Sequence, residues 1–465
     1  MKRRTFLSSS LALALAPLAR AQDTDWPAWS AVGDVTPEGA LLIAQKRGAQ
    51  AMEVRWWAGK QSQRVRGSGW ISRAELKGLP PAQTIHYEVD FPGQRLQGSF
   101  RTPPARAGAP VRFCWSGDVC GQGWGIDSQR GGMLSFASVT RMQPDFFLHS
   151  GDSVYADNPL PRQCKLEDGS LWNNRVIPEK LRPAVTLDDY RGQHRYNLLD
   201  GHYREFLSRV AVVAQWDDHE VLDNWDNAHH SALAGPARQA FLEYWPVRGK
   251  TIYRKISYGP DLDLFVLDLR SYRAPNSHNR QTQPGPETVL LGKQQLQWLK
   301  RELANSRATW KFIGGEMPIA TYNLRWGLDN WANGPGEPLG REWELADLLK
   351  FLRQKRIQNV VWLSADVHYA AALHYDPQRA QFREFLPFWE FIAGPMHAGT
   401  FPSQDGPLDP TFGAQMVFDS VGPGLKPNRP PSEGLQFFGQ VQIEGKKCRV
   451  SLHRQDGTQI FAQDL

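Results

Sequence analysis

Cysteine is scarce: 465 residues contain four, Cys114, Cys120, Cys164 and Cys448, with no C-x-x-C pair or other zinc-type spacing among them. A cysteine-built zinc site is thereby excluded, while a single Cys120–Cys164 disulfide formed after export stays open. Long apolar runs are missing too. The stretch 11–18 is shorter than the roughly 20 residues a membrane helix requires. The chain also lacks a repeat of fixed period and any long low-complexity tract.

That short apolar run has a specific setting. Arg3-Arg4-Thr5-Phe6-Leu7 is a twin-arginine opening, and Ala19-Arg20-Ala21 closes the run with a small-residue cleavage pattern. These parts in this order predict a signal peptide over 1–21, export of the folded protein by the twin-arginine machinery, and a periplasmic or secreted mature chain. Loss of Lys2, Arg3, Arg4 and Arg20 lowers the Lys and Arg total from 54 to 50, against 48 Asp and Glu. The mature chain then carries little excess charge, so no stable nucleic-acid or membrane partner is expected.

From about 25 to 103, short alternating segments such as 40–44, 52–57 and 85–91 are separated by turn residues. They predict a small all-β sandwich of the fibronectin or immunoglobulin kind. A proline-rich stretch, 103–110, marks its boundary with a second domain over 110–465. There, apolar runs at 111–115, 145–149, 210–215, 262–267, 310–313, 360–363 and 388–393 alternate with helical stretches, clearest at 292–304 and 341–353. Short continuous apolar runs predict strands buried on both faces of an α/β sheet. The segment 437–461 alternates again and predicts added antiparallel strands.

The residues just beyond the runs carry the chemistry, because catalytic groups of α/β sheets gather at the carboxyl ends of the strands. Four runs lead into Ser116-Gly117-Asp118, Ser150-Gly151-Asp152-Ser153-Val154-Tyr155, Trp216-Asp217-Asp218-His219-Glu220 and Ser364-Ala365-Asp366-Val367-His368. One Gly-Asp after a strand is ordinarily just a turn. Four carboxylates converging on one rim repel each other unless cations lie between them, and oxygen-rich sites suit hard metals.

These segments, together with Ala156-Asp157 and Leu267-Asp268-Leu269-Arg270-Ser271-Tyr272-Arg273, resemble the PhoD-type alkaline phosphatases of the metallophosphoesterase superfamily. The resemblance runs from the export signal to about Gly399. It implies a four-layered α/β/β/α core and hydrolysis of phosphate esters by metal-activated hydroxide at a multinuclear centre. Carried over by position, Asp152 bridges two metals, Tyr155 is a phenolate ligand, and Asp118 supplies the first motif. Asp218 stands where the superfamily has an asparagine, and Asp366 and His368 where it has two histidines. His219 meets the phosphate or the leaving oxygen. The family pattern can place a cysteine after the aspartate of Gly-Asp as a ligand for ferric iron, and this chain has Ser153 there. A tyrosinate favours iron(III), while a carboxylate-rich surround admits calcium, manganese or magnesium. Fe(3+) with Ca(2+) is the expected complement, with Mn(2+) or Mg(2+) as alternatives.

Several residues have two readings. Arg270 is either a bidentate phosphate clamp or the partner of Asp268 or Glu316. Asn224 either adds a neutral oxygen ligand or forms a turn; His397 either reaches the cleft or is a hydrogen-bonded core histidine; Asp217 is a helix cap. Loops 158–189 and 326–340 fit a cleft rim or packed surface loops. A phospholipase- or nuclease-type preference, and an inactive protein binding a polymer through its sandwich, are the competing functions.

Overall fold

The computed structural model describes residues 26–322 and 328–465. The predicted signal peptide, 1–21, lies outside these residues. Seven strands open the described chain: β1 (Trp29–Thr36), β2 (Gly39–Gln45), β3 (Ala51–Ala58), β4 (Gln61–Ser68), β5 (Ser72–Lys77), β6 (Thr84–Phe91) and β7 (Gln94–Arg101). In β3 and β6, exposed and buried residues alternate as the period of two requires. The buried sets, including Leu42, Val54, Leu76 and Val89, join one core. The other face of β1 and β2, through Trp29, Ala31, Leu41 and Ile43, packs into the core beneath the helices. This all-β unit is thus no detached bead. β1 pairs in parallel with a strand of the following region through Gly33 and Val212.

After the 103–110 linker come β8 (Val111–Ser116), α1 (Leu134–Met142), β9 (Phe146–Ser150), a hairpin of β10 (Gln163–Lys165) and β11 (Leu171–Asn173), α2 (Leu187–Asn197), α3 (Gly201–Arg209), β12 (Ala211–Gln215) and α4 (Asn227–Tyr244). The second half contains β13 (Arg254–Ser257), β14 (Leu262–Val266), α5 (Gly292–Asn305), β15 (Trp310–Gly314), α6 (Glu342–Gln354), β16 (Val360–Ser364), β17 (Ala371–Tyr375), β18 (Phe388–Ile392) and β19 (Ala414–Asp419). Strands β20 (Phe437–Glu444), β21 (Lys447–Arg454) and β22 (Gln459–Asp464) close the chain.

Two sheets result. In one, β8, β9 and β12 run parallel, flanked by antiparallel β20–β22 on one side and by the N-terminal strands on the other. In the other, β14, β15, β16 and β18 run parallel. Phe113, Leu148 and Val213 of the first sheet meet Leu264, Phe312 and Val361 of the second in a shared core. Helices α3 and α4 cover the outer face of the first sheet, and α5 and α6 that of the second. This is the α/β/β/α layering, and it requires strands apolar on both faces, as their runs are.

Candidate metal centre

The parallel strands of both sheets end at one rim, and the turns beyond them are strained. Asp118, Asp152, Asp366 and His368 adopt φ of 65°, 49°, 67° and 60°, in the left-handed region that side chains other than glycine's rarely take. Such strain persists only where the surroundings impose it, and it clusters at functional sites. Glycines make the crowding possible. A Cβ on Gly151 would stand 2.4 Å from the Asp217 Cβ, and one on Gly394 would stand 2.2 Å from Asp118 Oδ2.

Three groups of ligand-type atoms form at this rim: Asp118 with Asp152 and His368; Asp152 with Asp218 and His219; and Asp217 with Asp218 and Asp366. Shared members link them into one centre. All but His219 and Asp366 are buried, so the centre opens to solvent on that side. Tyr155 joins it, donating its hydroxyl to His368 Nε2 at 2.7 Å and packing its ring against His219, tilted by 32° with centroids 4.2 Å apart. His368 Nδ1 donates to the Gly399 carbonyl at 2.5 Å, which leaves the Nε2 lone pair facing inward. The imidazole is kept neutral, with its pKa lowered to about 4 by burial.

The carboxylates are in conflict as they stand. Burial first, then repulsion from Asp217, pushes Asp118 well above the usual carboxylate range. Burial does the same to Asp152 and Asp366, with repulsion from Asp217 and Asp218 adding to it in each. For Asp218, burial is outweighed by Arg270 and His219, which hold it low. Neither oxygen of Asp118 accepts a hydrogen bond from any described residue, although both are buried. Buried charge without partners is costly, and multivalent cations resolve it. The donor set of carboxylates, one phenol and imidazole therefore fits metal ions.

Arg270 pairs with other carboxylates than those expected. It is fully buried, with Nε donating to Asp217 at 2.6 Å and Nη1 to Asp329 at 2.9 Å. Only Nη2 lacks a partner, 3.8 Å from Asp218 and 3.9 Å from Asp366. Two of its five N–H donors are thus engaged, and the free Nη2 faces the rim. The salt-bridge partner is neither Asp268 nor Glu316: Asp268 instead accepts from Trp216, Ser271 and the Arg270 backbone, and Glu316 accepts from the Leu269 backbone. Asp217 is likewise an ion-pair member rather than a helix cap.

Asn224 takes φ of 54° and donates its backbone N–H to Asp218 Oδ2 at 2.7 Å, so its turn orients the Asp218 carboxylate. His397 is a core residue, its Nε2 bonded to the Gly125 carbonyl at 2.9 Å and its backbone N–H to the Asp118 carbonyl at 3.0 Å. It belongs to none of the three ligand groups. All four cysteines are free, with no Cys120–Cys164 disulfide. Asp157, left unassigned by sequence, binds His219 Nδ1 at 2.7 Å and, through its other oxygen, the Asp223 backbone at 2.8 Å. Its place in the Gly151–Asp157 segment was the available signal.

A sequence model of the PhoD-like phosphatases matches residues 113–453. This chain belongs to the PhoD-like phosphatase family. It is 27% identical to alkaline phosphatase D of Bacillus subtilis (strain 168) over 344 residues, 67% of this chain and 56% of that protein, so it spans little more than half of that relative's length. A solved structure of PhoD superposes with a TM-score of 0.71 at 19% identity, covering 94% of this chain and 91% of that one. The purple acid phosphatase PPD1 of yellow lupin (Lupinus luteus) seeds shares the fold, with a TM-score of 0.60 at 13% identity over 94% of this chain and 73% of that one. The PhoD-like match begins inside β8 and ends inside β21, and so contains every turn that builds the centre.

Proposed function

We propose that this chain is an exported metal-dependent phosphatase or phosphodiesterase, acting in the periplasm or outside the cell after twin-arginine export. The observation that carries the hydrolase reading is the rim itself, where three ligand groups interlock through Asp152 and Asp218. Asp118, Asp152, His368 and Tyr155 would hold Fe(3+), the phenol suiting iron, and the oxygen-rich group of Asp217, Asp218 and Asp366 would hold Ca(2+). When bound, such ions supply Lewis acidity toward phosphoryl oxygens and acidify water. The chain's own part is proton delivery. Asp157 fixes His219 Nδ1, so Nε2 is the nitrogen free to protonate a leaving alkoxide or to hold a non-bridging oxygen. Burial pulls the imidazole pKa down, and Asp218, Asp157 and Asp152 together outweigh it and raise the pKa above its ordinary value.

Elemental analysis of protein purified without chelators, with turnover of p-nitrophenyl phosphate, bis-p-nitrophenyl phosphate, a lipid head-group ester and single-stranded DNA, tests this reading. Metal-replete protein that hydrolyses none of them refutes it. Visible absorption from tyrosinate-to-iron charge transfer tests the metal: a colourless active enzyme, or colour surviving Tyr155→Phe, rules out iron at Tyr155.

A further inference from the structure

Glu220 is 1% exposed, and its two carboxylate oxygens accept four hydrogen bonds. Oε1 takes the Ser153 backbone N–H at 2.6 Å and the Ser153 hydroxyl at 2.7 Å. Oε2 takes the backbone N–H of Asp152 at 3.2 Å and of Asp217 at 2.8 Å. Three donors belong to the turn after β9 and one to the turn after β12. These turns carry Asp152 and Asp218, the two residues through which the ligand groups interlock.

We infer that Glu220 is a positioning residue of the metal centre: its carboxylate staples the Asp152 turn to the Asp217–Asp218 turn and so sets the spacing of the shared ligands. The inference rests on the metal-dependent reading above. The left-handed backbone of Asp152, φ 49°, needs an external hold, and the bond to its N–H provides one. A second link, from the His219 backbone to Asp152 Oδ1 at 3.2 Å, spans the same gap. The staple also consumes Ser153, whose hydroxyl donates to Glu220 and accepts from Trp245 Nε1 at 3.2 Å. Ser153 is therefore held as part of the support and does not ligate. Only a carboxylate suits this position, because each oxygen faces two donors. In a glutamine, the NH2 would face either the two backbone N–H groups of Asp152 and Asp217, losing both bonds, or the Ser153 N–H and hydroxyl, losing the first and forcing the hydroxyl to turn round and accept.

The test compares Mn(2+) binding, by calorimetric titration of metal-depleted protein, in wild type, Glu220→Gln and Ser153→Ala, with apo melting temperatures alongside. Loss of a ligand's supporting partner weakens metal affinity about 10–100-fold, and that is expected for Glu220→Gln. Ser153→Ala, which deletes one donor and keeps the carboxylate, is expected to weaken binding by a few-fold, and it carries the test if Glu220→Gln does not fold. An affinity within about twofold of wild type in folded Glu220→Gln, or in Ser153→Ala where Glu220→Gln does not fold, overturns the inference. So does a lowered apo melting temperature with unchanged affinity, which marks a purely structural role. Wild type that binds no metal brings down the proposed function and this inference together, whereas wild type that binds while Glu220→Gln binds equally sinks the inference alone.

Discussion

Replacing Arg270 by methionine removes the buried cation that balances the carboxylates of the centre. The guanidinium is fully buried and bonds Asp217 at 2.6 Å and Asp329 at 2.9 Å, so its removal takes that partner from two buried carboxylates and leaves Asp329 only Arg273 Nη1 at 3.7 Å. Breaking a buried pair by deleting one partner costs about 3–5 kcal/mol, most of it the penalty of the charge left behind. At roughly 2.1 cal/mol/K of unfolding entropy per residue, a chain of this length gains about 1 kcal/mol/K in total, so the melting temperature should drop by about 3–5 °C. Calorimetry on metal-depleted protein is the assay, since bound cations would mask the effect. Adding Asp329→Asn to the methionine variant neutralises one stranded carboxylate and should restore about half of the loss. A methionine variant melting within about 1 °C of wild type refutes the reasoning, because the attraction would then merely balance the cost of burying the ions.

Other consequences are as direct. His219→Ala should lower kcat/KM by about 10²–10⁴-fold with little change in melting temperature, as removal of a proton donor does, and Asp157→Asn should lose part of the same factor; unchanged turnover in either would take the proton route elsewhere. Asp152→Asn should cost activity far more than stability, because it weakens a shared ligand without opening a cavity, and near-normal turnover would move the centre from this rim. Glu342, its pKa raised from 4.5 to about 9 by burial and then by Asp409, keeps a proton in the folded protein that the unfolded chain has lost. Its contribution therefore falls as pH rises from about 4.5 through 9, by up to about 1.4 kcal/mol per unit, and is flat outside that window. Glu342→Gln should gain on wild type in melting temperature across that window, and parallel curves would contradict the assignment.

The layered architecture was legible because its strands are short apolar runs buried on both faces and its helices carry one-sided apolar stripes. The runs at 262–267 and 360–363 became β14 and β16 within a residue or so, and 292–304 became α5. The positions of Asp118, Asp152, Asp218, Asp366 and His368 after strand ends, with the turn residues beside them, came from the same local pattern. Periodicity and turn chemistry are properties of neighbouring residues, so a linear reading reaches them.

Pairings across the chain were decided only by the folded structure. Which carboxylate receives Arg270 depends on Asp329, 59 positions away, entering from a loop without periodic signal. Glu220 looked like one more acid beside a histidine until the turn after β9 supplied three of its four donors. The N-terminal strands read as a separate sandwich, yet β1 extends the sheet of β12. In each case a buried polar group must find a partner or an ion, and the nearest partner in space is set by how the sheets pack, which neighbouring residues in the chain do not encode.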